Sequence, residues 1–161
     1  MRFSCNTFGV PSTRVRRTLR APRERVFRAL TDPEAIATWR VPSGMAGAVH
    51  EYDARVGGRF RVSLTYDSPD RTGKSGAHTD TYHGYFAQIV PNERVVEVLE
   101  FETDDPTMRG EMTMSITLRN TDGGTALTAE HSGLPPGVDP VDNELGWNEA
   151  LDRLALLVEN P

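Results

Sequence analysis

Glu97 is the residue of this chain whose position most demands a chemical explanation. Within residues 94–102 it shares one side of the alternation with Val95, Leu99 and Phe101, while Val96, Val98, Glu100 and Glu102 fall on the other. If the more apolar side faces the interior, one carboxylate goes in with it. A buried carboxylate is costly unless it is paired or protonated. Such a group orients the polar end of a ligand, acts as an acid or base, or is answered by an arginine. His131 is the second candidate, sharing a side with Leu127 and Ala129 at the end of residues 125–132. A neutral imidazole there can donate to a ligand, exchange a proton with Glu97, or serve as a satisfied rim or core residue. His78, Asp80 and His83 are of metal-ligand type. In an extended strand His83 points away from the other two, so no metal is assigned. Gly-rich phosphate loops, nucleophile elbows and paired zinc motifs are absent from the sequence. Cys5, the only cysteine, has no internal disulfide partner and lies in a segment read as a loose arm, unlike the ordered electropositive setting of a reactive thiol. No catalytic residue and no cofactor are assigned.

The elements that would position these residues follow from period and punctuation. The chain has 161 residues, 37% hydrophobic and 25% charged, which fits one globular core. Residues 1–11 read as a flexible arm and 12–161 as one domain. Residues 12–19 suit an edge strand, with Val15 and Leu19 apolar. Pro22 opens a helix whose stripe is Val26, Phe27 and Leu30. Asp32 and Pro33 open a second, with Ile36 and Trp39 inward, ended by Pro42 and Gly44. The period then changes to two. Strands are expected at 49–54, 59–66, 79–90, 94–102, 111–119 and 125–132, with a longer mobile loop at 68–77. Asp104 and Asp105 read as turn residues, Asp139 and Asp142 as helix-cap residues. Trp147, Ala150, Leu151, Leu154, Leu157 and Val158 form an amphipathic stripe on a final helix over 141–159. Consecutive strands pair most simply as an antiparallel meander, giving an α+β fold in which the last helix covers the apolar face of the sheet.

Several of these residues resemble a known pattern. Ala21-Pro22-Arg23-Glu24-Arg25-Val26-Phe27-Arg28-Ala29-Leu30-Thr31-Asp32-Pro33-Glu34, then Trp39, is similar to the opening of the homologues of the heat-shock protein 90 ATPase activator. Gly57-Gly58-Arg59-Phe60, Gly84-Tyr85-Phe86, Ile89-Val90-Pro91 with Arg94-Val95-Val96, Gly124-Thr125-Ala126-Leu127-Thr128 with His131, and Gly146-Trp147 continue the resemblance over residues 13–159. It implies a START-like, helix-grip fold of the SRPBCC superfamily: a curved antiparallel sheet around a long C-terminal helix, with two short helices after the first strand. Members of the family take many roles, so the resemblance implies a stress-related or co-chaperone role only as one among several.

A helix laid across a curled sheet leaves a concavity, and such pockets are mostly apolar with a few polar anchors. The expected function is to bind or carry a small hydrophobic molecule there. The lining would be Trp39, Phe60, Tyr85, Leu99, Met112, Met114 and Trp147, with Glu97 and His131 as anchors. The alternatives are a cofactor-free cyclase or hydrolase using Glu97 and His131 for proton transfer, and a protein-interaction regulator. The expected partner is a small apolar ligand, with a homodimer and a chaperone contact as further candidates. A net charge of −5 speaks against nucleic acid, and no run of 18 apolar residues points to a membrane. The N-terminus lacks the apolar core of a secretory signal, so the expected location is cytoplasmic. Arg14, Arg16, Arg17, Arg20, Arg23, Arg25 and Arg28 read as a solvated face rather than as a surface for an anionic partner.

Overall fold

The computed structural model describes residues 2–5, 11–68 and 78–160. After strands β1 (Arg2–Cys5) and β2 (Pro11–Leu19) come helices α1 (Arg23–Thr31) and α2 (Pro33–Trp39). Strands β3 (Met45–Tyr52), β4 (Arg59–Tyr66), β5 (Thr79–Val90), β6 (Arg94–Phe101), β7 (Met112–Thr121) and β8 (Gly124–Ser132) lead to helix α3 (Pro140–Glu159). The helix starts are where capping chemistry puts them. Asp32 accepts from the Glu34 amide at 3.3 Å and Asp139 from the Val141 amide at 2.9 Å, each followed by proline in the first turn. Asp105 does the same for a single 3-10 turn at Pro106–Met108.

The described strands form one eight-stranded antiparallel sheet in the order β1-β2-β8-β7-β6-β5-β4-β3. The fold is therefore α+β and of the helix-grip type. Two expectations change. Residues 2–5 pair with β2 as a strand, within the stretch read as an arm. With β1 on one side and β8 on the other, β2 is not an edge strand. The loop expected at 68–77 lies outside the described residues except for Ser68.

Alternation sorts the sheet into two faces. Met112, Met114, Ile116 and Leu118 of β7 are buried, as are Leu127, Ala129 and His131 of β8. On this inner face Gly84 carries no side chain, and it could not. A Cβ there would sit 2.0 Å from the Val98 carbonyl oxygen and 2.9 Å from the Phe60 ring. The bare position lets Phe60 lie on the sheet, packed against Phe86 (centroids 5.2 Å apart) and Tyr82 (6.1 Å). Trp39 closes the core from α2, its ring buried and its Nε1 donating to the Ala29 carbonyl at 2.8 Å.

Helix α3 turns Trp147, Ala150, Leu151, Leu154 and Val158 inward, mainly over β2. Leu157 departs from the expected stripe and is 39% exposed. At 3.6 residues per turn it falls on the flank of the seam that Leu151, Leu154 and Val158 define. Trp147 carries the largest side chain of this seam. Trp147→Ala should lower the stability of the domain by about 3–5 kcal/mol. Urea unfolding followed by circular dichroism measures this, and an unchanged midpoint would place the ring outside the helix–sheet seam.

Candidate functional site

The inner face of the sheet carries Glu97, and the chain answers it with an arginine. Helix α2 ends at Trp39 because Val41 precedes Pro42, which disfavours helical backbone at the residue before it. Arg40, at this terminus, leaves the helix with its amide bonded to the Ile36 carbonyl and its side chain inside the molecule. Arg40 Nη1 lies 2.9 Å from both Glu97 oxygens and directs its hydrogen at Oε2. Both side chains are buried, at 9% and 2% exposure. The guanidinium also faces two rings, with Cζ 5.6 Å from the Tyr82 centroid and 5.1 Å from the Trp147 centroid. Burial alone would lower the Arg40 pKa. The Glu97 carboxylate, with Tyr82 and Tyr52 behind it, more than reverses this, so the guanidinium stays charged. Burial, reinforced by Glu97, holds the Tyr52 and Tyr82 hydroxyls above their usual pKa against the opposing charge of Arg40.

His131 sits one strand further on. Glu97 pairs across β6 and β7 with Met114, and Met114 pairs across β7 and β8 with His131. The three therefore form one row across the sheet, with Glu97 and His131 about 10 Å apart at the backbone. Trp147 Nε1 approaches His131 Nδ1 at 3.2 Å. An indole N–H can only donate, so Nδ1 accepts and the imidazole proton is on Nε2. Asn143 Nδ2 also lies 3.2 Å from Nδ1, its amide oriented by the Thr13 hydroxyl, which donates to Asn143 Oδ1 at 2.6 Å. Burial, assisted by the nearby Arg40 charge, pushes the His131 pKa down to about 3.

Among the described residues three buried polar atoms of this interior make no directed hydrogen bond: Glu97 Oε1, which lies within the ion pair 2.9 Å from Arg40 Nη1, and His131 Nε2 and the Tyr82 hydroxyl oxygen, which have no partner. They offer an acceptor, a donor and a group that can be either. Met112, Met114, Leu99, Phe60 and Trp39 are buried in the same core.

Of the sequence-selected residues, Trp39, Phe60, Glu97, Leu99, Met112, Met114, His131 and Trp147 all lie in this interior. Tyr85 does not. It is 42% exposed and pairs with Arg59 and Val98, on the outer face of the sheet. Alternation from Phe86 and Tyr82, both inward, gives the reason. The direct Glu97–His131 contact needed for proton exchange is not formed, since Arg40 holds one and Trp147 and Asn143 hold the other. His83 lies outside between Glu100 (3.1 Å) and Glu102 (3.0 Å), whereas Asp80 is buried. Arg40 was not selected from the sequence. The signal available was its place beside inward-facing Trp39 at a helix end, together with the need of Glu97 for a cation.

Residues 20–159 match the family described as Activator of Hsp90 ATPase homolog 1-like protein. The chain belongs to this family. Protein CV1439 from Chromobacterium violaceum is 35% identical, covering 93% of this chain and 98% of its own, with a TM-score of 0.83. The AHSA1-like protein from Aeromonas hydrophila is 22% identical over 92% of each chain, with a TM-score of 0.70. Protein Ms6760 from Mycobacterium smegmatis is 16% identical, covering 100% of this chain and 98% of its own, with a TM-score of 0.74. The last two show the fold alone. Among curated proteins nothing matches. Among the described residues no helix is long and apolar enough to cross a membrane. The fold is consistent with a ligand-binding domain of the SRPBCC type.

Two outcomes test this polar centre. Arg40→Met alone should cost about 3–5 kcal/mol, because it strands the Glu97 charge. Arg40→Met combined with Glu97→Leu should recover most of that loss in the same urea titration. Additive losses in the double variant would show that the two groups do not pair. The second outcome concerns acid. An unfolded histidine takes its proton near pH 6.5, the buried His131 only near 3. Between these values the unfolded state holds more protons, so the folded state loses stability as the pH falls. The loss should be at most about 1.4 kcal/mol per pH unit. In His131→Gln that part of the slope should vanish, and equal slopes in parent and variant would show that the imidazole titrates normally.

Proposed function

We propose that the domain binds a small, largely apolar molecule between the inner face of the sheet and α3, with its polar end at Arg40, Glu97 and His131. The observation that supports this reading is the pair of unpartnered buried atoms, His131 Nε2 and the Tyr82 hydroxyl, beside the ion-paired Glu97 Oε1 in a largely apolar core. Leaving such atoms unpaired costs stability, and a ligand with a matching donor and acceptor repays it on binding. The charge state narrows the ligand further. Arg40 and Glu97 neutralise each other, and His131 and the two tyrosines are uncharged near neutral pH. A charged ligand would arrive without a free countercharge, so the fit is to a neutral molecule such as an alcohol, phenol or amide on an apolar frame. Met112 and Met114 suit the walls, since unbranched thioethers repack around differing shapes.

Affinity should come mainly from apolar burial and selectivity from the polar anchors. An environment-sensitive apolar fluorophore should bind with a dissociation constant of about micromolar, corresponding to roughly 8 kcal/mol. Native mass spectrometry of freshly purified protein should show a co-purified small molecule. Met114→Trp should abolish fluorophore binding in a protein that still folds, and Glu97→Gln should change which phenols and alcohols compete. A folded Trp variant that binds the fluorophore as the parent does would remove the interior as the binding site.

A further inference from the structure

A second site lies at the other end of the sheet, independent of the interior. A depression of about 390 Å³ is lined by Arg23, Val90, Glu93, Arg94, Thr117, Leu118, Arg119 and Asn120. Rigid elements build it. Arg23 is the first residue of α1. Glu93 and Arg94 follow a turn in which Asn92 takes the left-handed conformation (φ 64°), closed by the Glu93 amide on the Val90 carbonyl at 2.9 Å. The Leu118 amide donates to the Glu93 carbonyl at 2.8 Å, tying that turn to β7.

The charges here are not compensated as they are elsewhere on the surface. Arg14 pairs with Glu130, Arg17 with Asp152 and Arg61 with Glu102, all within 2.8 Å. Arg94 and Arg119 are exposed and make no ion pair or side-chain hydrogen bond among the described residues. Arg94 pairs across the sheet with Thr117, which makes Arg119 its diagonal neighbour, close enough for like charges to repel. Arg23 reaches Glu93 only at 3.8 Å, and its Nε is buried with no partner. Three arginines against one glutamate leave a local charge of +2 on a chain whose net charge is −5. The Thr117 hydroxyl and the Asn120 amide add neutral donors.

We infer that this depression is a binding site for a phosphate-type dianion, either free phosphate or a small phosphomonoester, or the phosphomonoester headgroup of a lipid. A dianion matches the local charge, and guanidinium forks with neutral donors around them suit a tetrahedral oxyanion better than a planar one. Binding also relieves the repulsion between Arg94 and Arg119.

The test titrates the full chain with inorganic phosphate and with glycerol phosphate, followed by amide nitrogen–proton correlation spectra at constant ionic strength. A parallel arm sediments the protein with phosphatidylcholine vesicles with and without phosphatidic acid. Saturable shifts around Glu93, Arg94 and residues 117–120 are expected with both soluble phosphates. The double variant Arg94→Gln, Arg119→Gln should bind at least about tenfold more weakly, because it removes two charge-assisted donors. Arg16→Gln, an exposed change outside the depression, should leave the affinity unchanged. Soluble phosphates that saturate the shifts assign a free ligand. Sedimentation only with phosphatidic acid, lost in the double variant, assigns the lipid headgroup. Shifts that grow linearly without sedimentation, or a double variant that binds as the parent does, would overturn the site.

Discussion

One buried charge sets the terms for the interior of this domain. Glu97 stands on the inner face of β6 among apolar neighbours, and a lone carboxylate there would not stay ionised. Arg40 resolves the problem from the end of α2, and in doing so fixes much else. Its guanidinium must lie between Tyr82 and Trp147, so α3 is seated by a cation–π contact as well as by apolar packing. Trp147 in turn presents its N–H to His131 and decides which ring nitrogen keeps the proton. Sheet, short helix and long helix are thus joined through one chain of contacts, beginning at a carboxylate that an apolar core would otherwise reject.

Such a pair is a doubtful source of net stability. Desolvating two ions costs several kcal/mol each, and a well-packed apolar replacement often does as well. Its contribution is better seen in where the polar edges point. Arg40 directs its hydrogen at Glu97 Oε2 and holds Oε1 by charge alone, and Trp147 satisfies one nitrogen of His131 and leaves the other. The core is held neutral and is still able to form hydrogen bonds. In the proposed function, that combination is what lets an apolar interior recognise a neutral polar group and not only exclude water.

The elements of the fold were legible because each rests on a local rule. Asp32-Pro33 and Asp139 announce helices, and the alternation of β6, β7 and β8 assigns the inner face correctly through Glu97, Met114 and His131. What escaped was non-local. The place of Arg40 beside Trp39 at a helix end is a weak signal by itself, because its role depends on Glu97, 57 positions away. Tyr85, expected in the lining, lies outside, because its phase against Phe86 in β5 turns it to the other face. The uncompensated arginines at 94 and 119 lie in different strands, and only the register of β6 against β7 brings them together.

The order of the strands also has a temporal side. The second strand of the chain pairs with the last, Val15 opposite Ala129 and Thr13 opposite His131. A ribosome that has delivered β2 must therefore make more than a hundred further residues before that strand finds its second neighbour. Until then Val15 and Leu19, buried in the finished protein, have no β8 beside them and no α3 above them. Contacts this distant in sequence close slowly, since the chain loses loop entropy before it gains any packing. The sheet therefore lacks its β2–β8 pairing until β8 has been made, and its inner face lacks the cover of the twenty-residue α3 until that helix follows.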